Sequence, residues 1–212
     1  MCSGRVDLSF VLRAFSNGTD GVFIGGCRFN ECNYGTHGNF HALSMVLLMK
    51  KIMEHIGLNP ERLRIDNMSS GEGTLFAEVM SEFGKKMKEL GPLGKAEGIN
   101  EKVLKSKLEA VTNLVPYIRL LERERLRVPF KSEKEIIKFF TSEKFISLFN
   151  ETIGEKLAIS QIISLLREGP LTTGDIAKVL GLTPSEVSRY LNSSSRQRFV
   201  RYDEGLKRYA LA

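Results

Sequence analysis

The sequence runs to 212 residues, 42% of them hydrophobic, with a formal net charge of +6; that is enough chain to bury a core in one domain or two small ones. No apolar run approaches the ~20 residues of a membrane span, and the opening residues lack the basic and apolar regions of a secretory signal. This excludes a membrane-embedded chain and makes the cytoplasm the expected compartment.

Charge is unevenly spread. Residues 1–100 hold 11 Lys+Arg against 11 Asp+Glu, and residues 101–212 hold 20 against 14. Only the second half therefore offers a basic surface to nucleic acid or an acidic partner.

In chain order, Asp7 caps a run of apolar residues at helical spacing that stops at Asn17-Gly18, predicting a helix over 7–15. A glycine-bounded apolar run at 21–26 predicts a buried strand. After a cysteine loop, a helix of four to five turns begins near Asn39 and ends at Gly57. A second strand follows at 62–69, then a helix ended by Gly91. Helix, strand, helix, strand, helix is the order of a parallel sheet covered by helices, so residues 1–94 read as an α/β domain whose first strand is missing.

Glycines and prolines between 91 and 98 mark a boundary, and residues 95–157 read as an all-α connector with a kink at Pro116. Residues 158–212 carry a helix, a second helix capped by Thr172 or Thr173, a turn at Gly181, a third helix opening at Pro184, and two aromatic β-branched runs. That is a winged helix-turn-helix. Its third helix would present Ser185, Glu186, Ser188, Arg189 and Asn192 to a nucleic acid. Only one of the five is cationic, and affinity for phosphate comes from Lys and Arg, so nucleic acid is the lesser partner and protein docking or dimerisation the greater role.

All three cysteines, Cys2, Cys27 and Cys32, lie in the first 32 residues. An odd number without an export signal argues for reduced thiols that serve as ligands, nucleophiles or core residues. Three chemistries fit them. An iron–sulfur cluster usually takes four thiolates, so Cys2, Cys27 and Cys32 would leave it one ligand short. A zinc site would draw on Cys27, Cys32, His37 and His41 in a mixed tetrahedron. A catalytic thiol would need a companion base, and none stands at a recognisable spacing.

One stretch carries a family resemblance. Cys2-Ser3-Gly4-Arg5-Val6, Phe10 to Phe15, Asp20-Gly21-Val22, Gly25-Gly26-Cys27, Cys32 with Tyr34, and Gly38-Asn39 together resemble the delta subunit of methyl-viologen-reducing hydrogenase, and the likeness continues to about residue 94. The resemblance implies a two-iron, two-sulfur cluster with Cys2, Cys27 and Cys32 as ligands. It implies a non-catalytic electron-transfer subunit standing between a hydrogenase or formate dehydrogenase module and the flavin-bearing subunit of heterodisulfide reductase. Arg5 would either stabilise the anionic cluster or form a structural salt bridge. The family carries a further strand and cysteine pair upstream, so the resemblance implies an N-terminal truncation, with Met1 an internal methionine. The competing expectation is a metal- or redox-responsive DNA-binding regulator.

Overall fold

In a computed structural model of the protein, all residues are described except Met1, Asn30, Arg127, Val128 and Lys131, with Thr36 described in its backbone alone. The reading of Met1 as internal lies outside the described residues.

Helix α1 (Leu8–Ser16) starts where Asp7 accepts the backbone N–H of Ser9 at 2.8 Å, and it buries Leu8, Val11, Leu12 and Phe15, the one stripe its spacing allows. Strand β1 (Val22–Gly26) pairs in parallel with β2 (Leu63–Asn67), from Val22 opposite Leu63 to Gly26 opposite Asn67. The crossover between them is α2 (Asn39–His55), which is buried on most of its circumference. Helix α3 (Gly73–Leu90) follows β2 and buries only Val79 and Phe83. The fold is thus α/β, with a small two-stranded parallel sheet, many helices and a C-terminal helix-turn-helix region, as the element order predicts.

Helix α4 (Glu101–Leu121) runs through Pro116 and continues into a π-helical turn at Glu122–Leu126. Helices α5 (Glu133–Phe140), α6 (Glu143–Phe149) and α7 (Glu155–Glu168) complete the middle of the chain. This stretch reads in the sequence as a connector, but one contiguous apolar core runs from Leu8 through Met49, Val111, Ile118 and Phe145 to Leu157. A second core joins Ala158, Ile162 and Leu166 to Ile176, Val187 and Leu191. Helix α7 therefore belongs to both, with Leu157 in the first core and Ile162 in the second.

Two ion pairs fasten these parts. Arg62 is fully buried; its Nε lies 2.6 Å from Glu97 Oε1, and its guanidinium also donates to the carbonyls of Asp20, Leu90, Gly91 and Pro92. This fixes the end of α3 and the loop after it to the start of β2. Arg119 on α4 donates to Asp7, Nε to Oδ2 at 2.9 Å, and so ties α4 to the cap of α1. Partial burial works to raise the Asp7 carboxyl, but hydrogen bonds from Arg119 and Ser9 outweigh it and hold the group at about 2. A folded value below the ordinary 3.8 means that the pair's stabilisation is complete above 3.8 and is lost as pH falls towards 2. Urea midpoints of the wild type and Asp7→Asn should therefore differ at neutral pH and converge across that interval; a constant gap would contradict the pairing.

The C-terminal unit is set by its caps. Helix α8 (Thr173–Leu180) and helix α9 (Pro184–Arg196) each open with a capping box, Thr172 with Asp175 and Thr183 with Glu186, and Gly181 takes the left-handed turn between them at φ 70°. Strands β3 (Val200–Asp203) and β4 (Arg208–Leu211) form the wing, and Leu171 bridges to Tyr209. Thr183→Ala is expected to cost about 1 kcal/mol by removing the cap. Thermal unfolding should fall by about 2–4 °C for a chain of this size.

Candidate cluster-binding site

Cys27 and Cys32 lie on the connection that leaves the carboxyl end of β1, where parallel sheets place their ligands. Cys2 precedes a short 3-10 turn (Ser3–Arg5), and its sulfur accepts the Gly4 N–H at 3.4 Å. Cys32 lies on the loop leading to α2, where its sulfur accepts the backbone N–H groups of Tyr34 and Asn39 and a hydrogen bond from the Cys2 thiol. Burial works to raise the Cys32 thiol, but these bonds outweigh it and leave the thiol below its ordinary value.

Two glycines make the approach possible. A Cβ at Gly38 would lie 2.3 Å from Cys32 Sγ and 3.2 Å from Cys2 Sγ, and a Cβ at Gly4 would lie 2.6 Å from the Gly38 carbonyl oxygen. The backbones of residues 4 and 38 thus touch with no room for side chains, and this contact sets the two sulfurs beside each other. Cys2 and Cys32 are half-buried, and Cys27 is exposed.

Cys27 opens the same connection, directly after β1. Its carbonyl accepts Asn39 Nδ2 at 3.0 Å and Asn67 Nδ2 at 2.7 Å. Asn39, fully buried at the first turn of α2, therefore holds the Cys27 loop while its backbone N–H faces Cys32. Cys27 borders an open cavity of about 410 Å³ with Ser3, Gly26, Ser69, Glu72 and Phe76. Glu72 accepts the Ser69 N–H at 2.7 Å and pairs with Arg28 of the cysteine loop, both of which lower its carboxyl.

Among the described residues, neither histidine forms a metal-binding group with the thiols. His37 is exposed on a 3-10 turn (Gly35–His37). His41, on the first turn of α2, points its Nδ1 towards Glu122 of the π-helical turn, 3.9 Å from Oε1. That oxygen is buried with no hydrogen-bond partner, and burial raises the Glu122 carboxyl. Among the described residues, no group of three or more His, Cys, Asp or Glu side chains is close enough to hold a metal ion. The structure gathers Cys2 and Cys32 at Gly38 and places His41 against Glu122 instead. Arg5 is exposed and forms no ion pair with a described residue.

The donor chemistry fits a thiolate-held anionic group: sulfurs gathered at Gly38, N–H groups aimed at them, and a further thiol at the end of β1. The sequence supplies three of the four thiolates that two-iron clusters usually take.

On the winged helix, Ser185, Arg189 and Asn192 are exposed and Ser188 is half-buried, on the side of α9 away from Val187 and Leu191. Glu186, expected as an acid facing the groove, is occupied at the cap, where its Oε2 accepts the Thr183 N–H at 2.9 Å. The pattern Thr-x-x-Glu is the signal for that role. Arg189 lies over the Tyr190 ring, 5.0 Å from its centroid.

A half-exposed thiol pair at the strand ends of a small α/β domain, followed by a winged helix, defines a cysteine-centred α/β protein with a docking or reading module. Comparison with known proteins makes this specific. The family model of the methyl-viologen-reducing hydrogenase delta subunit matches residues 1–91, and that of the arsR family of bacterial regulatory proteins matches residues 160–202. The iron-sulfur subunit of the F420-non-reducing hydrogenase of Archaeoglobus profundus is 45% identical over 91 residues, which are 43% of this chain and 66% of that one. The corresponding vhu iron-sulfur subunit of Methanopyrus kandleri is 39% identical over 92 residues, 43% of this chain and 69% of that one. In Methanosarcina acetivorans, one subunit of the ferredoxin/F(420)H(2)-dependent CoB-CoM heterodisulfide reductase is 46% identical over 94 residues, 44% of this chain but only 12% of the reductase polypeptide. Through its first 91 residues, the chain belongs to the family of methyl-viologen-reducing hydrogenase delta subunits.

Among the described residues, no helix is long and apolar enough to cross a membrane.

Proposed function

We propose that this chain is a cytoplasmic electron-transfer subunit that serves a hydrogenase and heterodisulfide reductase assembly, with a two-iron, two-sulfur cluster held by Cys2, Cys27 and Cys32. The observation that carries the reading is the Cys2–Cys32 thiol pair, locked by Gly4 and Gly38 inside a family-matching domain. Such a cluster, when bound, would supply one-electron transfer between two partners.

The chain's own residues would do the rest. Gly4 directs its N–H at Cys2 Sγ, and Tyr34 and Asn39 direct theirs at Cys32 Sγ and favour its thiolate form. Asn39 and Asn67 hold the Cys27 loop from both sides. Arg5, exposed and unpaired among the described residues, would add a positive field beside the site. The partners on this reading are a hydrogenase or formate dehydrogenase module on one side and the flavin-bearing subunit of heterodisulfide reductase on the other. Subunits of hydrogenase and of heterodisulfide reductase both carry the matching segment.

The test is anoxic mixing of the dithionite-reduced, desalted chain with the oxidised flavin subunit of heterodisulfide reductase. Flavin bleaching that disappears in Cys32→Ser is the expected result, and bleaching at the same rate in that variant would refute the relay.

A second reading, a metal- or redox-responsive DNA-binding regulator, is favoured by the arsR-family match and by the employment of Glu186 in its cap rather than against a phosphate. It predicts that DNA binding survives about 200 mM salt on a particular operator and is lost in Arg189→Ala; binding that vanishes by that salt is non-specific phosphate contact.

A further inference from the structure

We propose that Cys2 and Cys32 form a reversible dithiol–disulfide pair that exchanges with small disulfides and dithiols whenever no metal group holds the two sulfurs. The inference rests on the same cysteine pair as the proposed cluster site, but not on the cluster itself.

Three features carry it. The two sulfurs are gathered around one point at Gly38, where a Cβ would lie 2.3 Å from Cys32 Sγ and 3.2 Å from Cys2 Sγ. Both are half-buried, which leaves an approach for a small disulfide. The third thiol, Cys27, lies on the rim of the cavity with Ser69 and Glu72, its carbonyl held by Asn39 and Asn67, and among the described residues the three thiols do not form one metal-binding group. Exchange requires an attacking thiolate and an adjacent thiol to complete the ring. Cys32 is taken as the attacking thiol and Cys2, half-buried beside it, as the one that closes the ring.

The chemistry balances with a small disulfide as oxidant. The Cys32 thiolate attacks one sulfur of that disulfide, whose S–S bond breaks to release one thiolate and leave a mixed disulfide on Cys32. The Cys2 thiol gives its proton to water, and its thiolate attacks Cys32 Sγ and expels the second small thiolate. Two protein thiols are oxidised, one small disulfide is reduced, and the two protons end on the two released thiols. A dithiol reverses the sequence. In the closed form neither sulfur is a thiolate, so the pair is unavailable as a ligand until it is reduced.

The experiment uses the full chain, freed of metal by an anoxic chelator and incubated with glutathione disulfide, then acid-quenched, alkylated and mapped by peptide mass spectrometry. The expected product is a Cys2–Cys32 cross-linked peptide with Cys27 alkylated, restored to alkylable thiols by dithiothreitol. Cys27→Ser should cross-link as the wild type does, and Cys2→Ser should stop as a glutathione adduct on Cys32. A cross-link that includes Cys27, wild-type protein that halts at glutathione adducts, or full alkylation of all three thiols under excess glutathione disulfide would each overturn the proposal. Iron and sulfide reconstitution of the reduced form separates the two readings. Cross-linking without iron uptake retains the thiol pair and removes the cluster, and iron uptake without cross-linking does the reverse.

Discussion

Gly38→Ala is expected to lower the iron and sulfide bound by the anoxically reconstituted chain by about tenfold or more, while the helical content and the unfolding of the winged helix stay as in the wild type. The new Cβ would meet Cys32 Sγ at 2.3 Å and Cys2 Sγ at 3.2 Å, so the two sulfurs must separate. Its own backbone cannot retreat in compensation on the other side, because the Gly38 carbonyl is already packed against Gly4. Gly4→Ala should give the same loss by pushing the Cys2 loop outward. Neither position has a positive φ, so the effect is one of space and not of backbone strain. Unchanged iron binding in both variants, measured beside unchanged circular dichroism, would mean that the Cys2–Cys32 approach is not used.

The second large effect concerns stability. Arg62→Met should destabilise the chain by about 3–5 kcal/mol, because it leaves the Glu97 carboxylate buried without its cation and strips donors from four carbonyls. At about 2–4 °C per kcal/mol the melting temperature falls by roughly 10 °C. Burial works to raise the Glu97 carboxyl, and hydrogen bonds from Arg62 and from the Asn59 N–H outweigh it. A depressed folded value gives stability that is present above the ordinary carboxylate range and lost as pH falls through it, so the gap between variant and wild type should narrow in acid. Exchange of both partners, Arg62→Met with Glu97→Leu, should recover part of the loss. A single variant as stable as the wild type at neutral pH would show that the pair does not anchor the loop after α3.

Much of the first domain is legible in the sequence because its signals are local. Asp7 caps α1 as its position promises, the glycines at 21 and 25–26 bound β1, and Gly57 and Gly91 end their helices. The winged helix is legible through the Thr172 cap, the turn at Gly181 and the opening at Pro184. What the chain order hides is contact across long separations. Amphipathic spacing in residues 101–157 says that each helix has a buried face, but not that Val111, Ile136 and Phe145 share a core with Leu12 and Met49. Gly4 and Gly38 look like ordinary loop glycines until the fold presses one against the other. His41 reads as a possible ligand beside Cys32, yet it faces Glu122, far along the chain. Glu186 misleads for the opposite reason: its cap partner lies three residues away, and that local bond takes the carboxylate from the groove contact its helix position suggests.

The most direct test of the central claim is anoxic purification of the full chain, followed by iron, sulfide and zinc analysis and a reduced-state electron paramagnetic resonance spectrum of the same sample. The account predicts iron and sulfide near two each per chain, as a two-iron cluster requires, with a reduced-state signal that Cys32→Ser abolishes. Stoichiometric zinc with no visible absorption, or metal-free protein after reconstitution, would contradict it.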